Sequence, residues 1–523
     1  TPTPTPNPRP PGNCDPALAD QEWNYIRIGR RRIMGSDAQN FLGYFKKQQA
    51  ENPAFFYAIQ VDNDRCVSNV FWADSKARMA YSYFGDAVVF DTTHKSAHLP
   101  FVLFAGVNHH GQPVLFGCAL LLDESGPSLL WLFRTWLEAM SRCHPVSITT
   151  VQDEGLKAAI AEVFPVTRHR VCKWEVFREC RDKLAYICQV YPTLEGELHR
   201  CVDGSETVEE FELCWRSLID RYCLEGNQWL QYLYGTRRAC VTAYLRDTFF
   251  GELVTSDQGE GRNSFFDGYM SEQTTLHDFV RQYEKALESR FEEEADADSD
   301  TMHTVPVLKT PSPMEKQVAS LYTRKIFMKF QEELVETFAY TADKIDDDGC
   351  NGKFKVAKFG EEQKNHIVMF SALEKNATCS CQMFEFSGIL CRHVLTVFRI
   401  ANVLVLPSQY ILKRWTQNAK TGDVLDDYSV ELRGNSRESL TLRYNNLRHQ
   451  AINFVEEGAS SIEIYDVAIA ALREAASKVS AAKKNFMRIP RVGALRSGVG
   501  KKGNDGSSEE VNLNSVISMQ DAE

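Results

Sequence analysis

The chain has 523 residues, of which 43% are apolar, 25% charged and 11% aromatic, the composition of an ordinary folded protein. Its length allows several domains and a large buried core. The formal net charge of −11 excludes a surface that is basic throughout, but it allows a local basic face that contacts nucleic acid. No apolar run approaches the ~20 residues that a membrane-spanning helix needs.

The N-terminal residues and the cysteines indicate the cellular compartment. The first stretch, TPTPTPNPRPPG, has neither the charged nor the apolar region of a signal peptide, and it predicts an extended linker. The fifteen cysteines are odd in number and occur in apolar as well as polar stretches. Without a secretory signal, this usage predicts free, buried thiols in a reducing compartment rather than a disulfide framework.

The first half of the chain predicts a mixed α/β domain. DAVVFD reads as a buried strand, and PFVLFAGV and PVLFGCALLLD as two strands that a polar turn joins into an antiparallel hairpin. SLLWLFRTWLEAMSR predicts a helix, PVSITTV a strand, DEGLKAAIAEVF a helix and HRVCKW a last strand. This order predicts a three-stranded antiparallel meander that continues into a parallel βαβ arrangement, as in ribonuclease-H-like domains. The fold class expected is therefore α/β followed by α.

Composition shifts and periodicity divide the whole chain into segments. The predicted segments are a Pro-rich linker (1–17), a region before the first domain (18–83), the α/β domain (84–291) with a helical insertion (about 174–257), an acidic and Pro-containing linker (292–313), a helical connector (314–349), a cysteine-containing region (350–415), a helical segment (436–480) and a basic, then polar, disordered tail (481–523).

A cluster of cysteines near the C-terminus has the spacing of a metal site. Cys379, Cys381, Cys391 and His393 form C-x-C, nine residues, then C-x-H. Three thiolates and an imidazole are ligands of tetrahedral Zn²⁺, and four protein ligands make a site structural. A module this small has little core of its own, so metal binding would supply much of its folding energy. The alternative is three buried cysteines beside a surface histidine.

Carboxylates in the first half suggest a second metal site. A ribonuclease-H-like sheet holds two divalent metals roughly 4 Å apart between carboxylates on adjacent strand ends and a later helix. Asp91 ends the first strand, and Glu260 could supply the last carboxylate. The second should follow the strand SITT, where Val151 stands, and Asp153 opens the next helix. Asp91 is alternatively a strand-end residue, and Asp153 an acid that the helix dipole favours.

These motifs together carry a resemblance to a known family. The chain resembles a Mutator-like (MULE) transposase domain in five segments: VVFDTTH, PFVLFAGVNHHGQPVLFGCALLLDE, WLFRTWLEAM, HPVSITTVQDEGLKAAIAEVFP and GEGRNSFFDGYM. The cysteine spacing resembles the SWIM-type zinc finger. In this order, from about Asp37 to about Trp415, they are similar to the plant far-red impaired response family of transposase-derived transcription regulators. That family also has an N-terminal zinc-finger domain, so we expect this chain to begin in the linker after it.

The resemblance implies that Asp91 and Glu260 match the first and last members of a catalytic triad. The family motif T-D-Q-D reads here as Thr150-Val151-Gln152-Asp153, and a transposase C-x-x-H reads as Cys172-Lys173-Trp174-Glu175. Two changes at positions that serve one chemistry predict a retained fold without DNA cleavage, with Asp91, Asp153 and Glu260 as vestigial residues.

The resemblance implies a nuclear, zinc-containing regulator that binds promoter DNA and protein partners or a second copy, with a role in light responses. A working transposase using Mg²⁺ or Mn²⁺ and a protein-interaction adaptor remain the alternatives. RIGRRRIMG (27–35) could contact DNA phosphates, act as an import signal or be a solvated surface. His109 and His110 could bind a metal, but a polar turn also explains them.

Overall fold

The computed structural model describes residues 41–420 except 63, 97–98, 252–264, 267, 270–275, 348–350 and 362, together with 447, 451, 454, 458 and 461–487. The described residues fall in two compact units, one that extends to Ala419 and one that begins at Lys420.

The first unit contains a seven-stranded mixed sheet. Its strands are β1 (Phe56–Val61), β2 (Val67–Ala73), β3 (Ala87–Ser96), β4 (Leu99–Val107), β5 (Pro113–Leu121), β6 (Ser147–Thr150) and β7 (Arg168–Val171), and they lie in the order β1-β2-β5-β4-β3-β6-β7. The first five pair antiparallel, while β6 pairs parallel with β3 and β7 parallel with β6. The predicted meander and its parallel continuation are therefore confirmed. The hairpin β1–β2, expected to precede this domain, extends its sheet.

Helices cover both faces of this sheet. They are α1 (41–51), α2 (Ser75–Phe84), α3 (Gly126–Ala139), α4 (Glu154–Val163) and α10 (Leu276–His303). On one face, α2, α3 and α4 pack Phe84, Trp136 and Ile160 against the sheet. On the other, α1 and α10 pack Phe45 and Phe279 against it. The strands can be apolar on both faces because both are covered.

Five helices follow β7 and form a core of their own. They are α5 (Lys173–Lys183), α6 (Ala185–Val190), α7 (Leu194–Gly204), α8 (Val208–Tyr222) and α9 (Gln228–Cys240). Their amphipathic faces bury Phe177, Leu198, Phe211 and Leu230 together. The helices lie within the predicted insertion of about 174–257, whose last residues are outside the described part of the chain.

The acidic stretch expected to begin a linker over 292–313 is helical through His303, where α10 ends. The difference arises because the acidic side chains have partners that are distant in sequence. Glu294 accepts a hydrogen bond from the amide of Asn108 at 2.9 Å, and Asp298 bonds to two histidine rings of the β4–β5 turn. These contacts offset the cost of gathering like charges on one helix.

A second sheet lies in the C-terminal part of the first unit. The elements of this region are α11 (Pro313–Leu321), α12 (Arg324–Glu336), β8 (Tyr340–Asp347), β9 (Asn351–Lys358), β10 (Asn365–Ser371), β11 (Asn376–Cys379), α13 (Met383–Ser387) and α14 (Arg392–Ile400). The strands form an antiparallel sheet in the order β11-β10-β9-β8. The sequence predicted helix throughout 314–349, so the strand from Tyr340 is a correction.

The second unit contributes the helix α15 (Ile462–Met487). It overlaps the predicted helical segment 436–480 and enters the stretch from 481 that was expected to be disordered. Within the predicted segment, Leu440 and Tyr444 lie outside the described residues, and Leu447 and Phe454 are exposed.

Two further expectations concern the cysteines and membrane-spanning helices. Among the described residues, every cysteine is a free thiol. No helix in the described part of the chain has the length and apolarity to cross a membrane.

Candidate metal centre

Four elements of the second sheet region bring the predicted zinc ligands together. Cys379 is the last residue of β11, and Cys381 lies in the turn that follows. Cys391 is the N-cap of α14, and His393 lies in the first turn of that helix. The short helix α13 carries the chain from the first pair of ligands back to the second.

Two residues with left-handed backbone make this return possible. Gln382, before α13, has φ 48°, and Gly388, after it, has φ 73°. A Cβ added at Gly388 would lie 2.4 Å from Leu412 Cδ1 and 2.7 Å from Trp415 Nε1. Glycine is therefore required here both by its backbone conformation and by the close approach of two side chains.

The geometry fits a tetrahedral zinc site. One ligand atom from each of the four residues lies within 4.8 Å of all the others. Cys379 Sγ is 3.7 Å from His393 Nδ1. Ideal zinc–sulfur and zinc–nitrogen bonds at tetrahedral angles would place such a pair about 3.6 Å apart. Because all four side chains are buried, protein atoms surround the set.

Local hydrogen bonds favour the thiolate form at one of the three cysteines. The backbone N–H of Cys381 donates to Cys379 Sγ, and that of Val394 donates to Cys391 Sγ, both at 3.5 Å. Hydrogen bonds from Cys379 and Cys391 lower the pKa of Cys381, whereas burial and the neighbouring thiols raise the pKa of Cys391. When a divalent cation binds this buried set, the remaining thiols release their protons and bind it as thiolates.

A histidine and a carboxylate outside the ligand set support His393. The ring of His366, on β10, stacks on the ring of His393 with centroids 3.9 Å apart. His366 Nε2 lies 2.9 Å from Glu206, which precedes α8 in the helical insertion. Burial alone would raise the pKa of Glu206, but the hydrogen bond from His366 and the charge of both rings lower it to about 2. The stacked ring of His366 limits rotation of the His393 ring.

The metal centre is built into the first unit and is not an isolated module. Arg392 Nη2 lies 2.6 Å from Glu333 of α12, and the backbone N–H of Arg392 donates to the same carboxylate at 2.7 Å. Arg246 donates to the carbonyl of Cys381 at 3.0 Å. The three cysteine ligands belong to a buried cluster that includes α11 and α12. The expectation of a module with little core of its own is therefore wrong.

The structure places Asp91, half-buried, within β3 and beside a bulge in its pairing with β4. The expectation that Asp91 ends the strand is therefore wrong, because β3 continues to Ser96 in its pairing with β4. On the neighbouring parallel strand β6, Thr149 pairs with Val89, and Val151 directly follows the last residue of that strand. Val151 packs against the main core cluster. An apolar side chain thus occupies the position where the second carboxylate was expected.

The other acidic candidates are only partly described. Asp153 is the N-cap of α4 and accepts a hydrogen bond from the backbone N–H of Leu156 at 2.7 Å, which is the alternative role considered above. Glu175 lies in the first turn of α5 and pairs with Arg178. Glu260 lies outside the described residues. Among the described side chains, the sets spaced for a metal include neither Asp91 nor Asp153.

Several functional contacts were not expected from the sequence. Glu206 and His366 are far from the cysteine motif along the chain, and no spacing rule links them to it. His109, His110 and Asp298 form another set with ligand atoms within 4.8 Å of one another. The adjacent histidines were a visible signal, but the stretch around Asp298 was expected to be a linker.

Comparisons with known protein families find a match for the region of the first sheet and another for the region of the metal centre. Residues 87–179 match the MULE transposase domain, and residues 367–402 match the SWIM zinc finger. The four ligands of the candidate metal centre lie within the second range.

Curated relatives cover most of the chain. Protein FAR1-RELATED SEQUENCE 5 of Arabidopsis thaliana is 53% identical over 467 residues, which are 89% of this chain and 59% of the relative. Protein FAR1-RELATED SEQUENCE 9 of the same plant is 51% identical over 450 residues, 86% of this chain and 82% of the relative. Protein FAR-RED IMPAIRED RESPONSE 1 is 39% identical over 440 residues, 84% of this chain and 52% of the relative. The chain belongs to this far-red impaired response (FAR1-related) family and carries its MULE and SWIM regions.

Proposed function

We propose that the chain is a zinc-dependent regulator of transcription that acts in the nucleus by binding promoter DNA and protein partners without cutting DNA. The observation that carries the proposal is the contrast between its two candidate sites. The four-residue thiolate and imidazole set is together and buried, whereas Val151 stands where the second carboxylate of an acidic site was expected. The family membership supports the regulatory role, and the relative named for far-red impaired response supports a link to light.

The zinc ion would be held by Cys379, Cys381, Cys391 and His393 and would cross-link the chain as a structural metal. The protein supplies the rest of the arrangement. Two backbone N–H groups stabilise sulfur, and His366 limits rotation of the His393 ring. Since ligand contacts reach α12 and the helical insertion, zinc would fix the packing of these elements on the second sheet.

In this proposal the α/β sheet is a ribonuclease-H-like scaffold. Its support is the antiparallel meander β3–β5 with parallel strands β6 and β7 beside it. Two-metal cleavage needs carboxylates that share both ions, so the loss of one is severe. Asp91, Asp153 and Glu260 then persist as vestigial residues, and the sheet provides surfaces for DNA, for partners or for a second copy.

The test combines DNA binding with a cleavage assay on the zinc-loaded chain. We expect affinity for duplex DNA, read by fluorescence anisotropy, to fall linearly on a logarithmic scale as salt rises. Cys391→Ser should weaken binding, whereas Asp91→Asn should leave it unchanged. With Mn²⁺ we expect no strand cutting by either wild type or Asp91→Asn. A fluorescent fusion in plant cells should be nuclear.

Two results would replace the proposal. Mn²⁺-dependent cutting that disappears in Asp91→Asn would make the protein a transposase despite Val151. DNA binding that is absent, or does not respond to salt, would make it a protein-interaction adaptor, which the net charge of −11 would suit.

A further inference from the structure

We propose that His109, His110 and Asp298 form a second metal site, for a borderline divalent transition metal such as Zn²⁺. His109 Nε2 lies 3.0 Å and His110 Nε2 2.9 Å from the same atom, Asp298 Oδ1. The two imidazole rings have centroids 4.1 Å apart. Two imidazoles and a carboxylate are a donor set that zinc uses when three protein ligands bind it.

The β4–β5 turn places both rings on one side. Along a strand, adjacent side chains point to opposite faces, so two neighbouring histidines could converge only outside the strand. The side-chain oxygen of Asn108 accepts hydrogen bonds from the backbone N–H groups of His110 and Gln112, at 2.9 and 3.0 Å. Gly111, at φ 70°, completes the turn. The convergence is thus built into the backbone.

The surroundings hold the rings in place. His109 is 0% and His110 3% exposed, so neither ring can turn freely toward solvent. The His109 ring stacks on Phe84 with an interplanar angle of 9°. The hydroxyl of Thr323 donates to the carbonyl of His109 at 2.6 Å. Ligands fixed before the metal arrives lose little conformational freedom on binding.

Glu294, one helical turn before Asp298 on α10, places a negative charge near His109. Its Oε1 lies 3.8 Å from His109 Nδ1 and accepts a hydrogen bond from Asn108 at 2.9 Å. A carboxylate on the Nδ1 side favours the tautomer with its proton there, and in that tautomer the lone pair of Nε2 can bind a metal.

The distances need only a small adjustment. In a tetrahedral site, nitrogen and oxygen ligands lie about 3.3 Å apart, so each histidine nitrogen would move roughly 0.3–0.4 Å from the aspartate oxygen. The competing arrangement has no metal, and both rings donate a proton to Asp298. A metal would replace these two hydrogen bonds and cross-link α10 to the turn.

Cobalt substitution distinguishes the two arrangements on the full chain. The reduced protein is stripped of metal, loaded with Co²⁺ and analysed for bound cobalt. We expect two cobalt ions per chain in the wild type and one per chain in Asp298→Asn. The thiolate-to-cobalt absorption of the cysteine site should be the same in both. Asparagine can still accept from both rings but is a poor metal ligand, so the metal-free arrangement predicts no loss. Asp296→Asn, an exposed site on the same helix, is the control and should retain two.

A measurement on the wild type covers the case in which the variant does not fold. X-ray absorption at the cobalt edge should give about one and a half sulfur ligands per ion when both sites are filled and about three when only the cysteine site is. One cobalt per chain with three sulfur ligands would overturn the proposal. So would two ions that a folded Asp298→Asn variant keeps.

Discussion

Gly388→Ala should be unusually costly for a change of one methyl group. The left-handed backbone at φ 73° costs a residue with a Cβ about 1–2 kcal/mol. The new atom would also meet Leu412 Cδ1 at 2.4 Å and Trp415 Nε1 at 2.7 Å. Overpacking of this kind costs about 1–3 kcal/mol. The expected loss of unfolding free energy is therefore about 2–5 kcal/mol, and zinc affinity should fall because Cys391 follows the displaced turn.

Gly360→Ala is the matched control. This glycine has φ 79°, and a Cβ added to it would meet no other atom within 4 Å, so the variant carries the backbone cost of about 1–2 kcal/mol alone. The loss of unfolding free energy for each variant is measured by urea unfolding of the cobalt-loaded chain, with the thiolate-to-cobalt absorption as the signal. Equal losses at the two glycines would refute the reasoning, because they would show that the close contacts at Gly388 relax without cost.

Three other variants test the contacts around the sites. Glu206→Gln should lower zinc affinity about 10-fold or more in a chelator competition, since the partner of the histidine beside the ligand loses its charge. Arg392→Ala removes the cation that pairs with the carboxylate of Glu333, whose side chain is only 9% exposed, and should lower the free energy of unfolding in urea by about 3 kcal/mol. Arg134→Ala removes one partner of an exposed pair and should lower it by at most about 0.5 kcal/mol. Burial, then the charge of a nearby lysine, lowers the pKa of His169 from 6.5 to about 4. The unfolded chain therefore takes up the proton first, and stability should be lost as pH falls from about 6.5 to about 4, by at most about 3 kcal/mol. His169→Gln should abolish that part of the pH dependence, and an unchanged profile would contradict it.

The sequence predicted the parts of the fold whose signals are local. β3–β5 are long apolar runs with a polar turn, and α3 and α4 carry apolar residues at helical spacing. The four cysteine and histidine ligands lie within fifteen residues, so their spacing alone indicated a metal site. The place of Asp153 at the start of a helix was also predicted from the apolar pattern that follows it, although its hydrogen bond as the N-cap was not.

The parts that sequence missed depend on contacts between distant residues. The C-terminal half of α10 is acidic and reads as a solvated linker until the β4–β5 turn supplies Asn108 and two histidines as partners. Strand β9 alternates buried Phe354 and Val356 with lysines, but its short, charged sequence gives a weak pattern. Glu206 and His366 are 160 positions apart along the chain and meet only in the folded structure.

The two candidate sites differ in how they are tied to the fold, and under the proposed function this difference would account for a complete zinc set beside an acidic set that lacks one carboxylate. The main sheet is stabilised by apolar layers on both faces, and Val151 adds to one of them, so a carboxylate there is dispensable for folding. Cys379, Cys381 and Cys391, by contrast, are buried in the cluster that joins α11, α12 and the second sheet. Losing one of them would leave buried polar sulfur without its metal and would open the packing around it. Under the proposed function, selection for a stable scaffold alone would therefore retain the zinc ligands and tolerate an apolar residue at position 151.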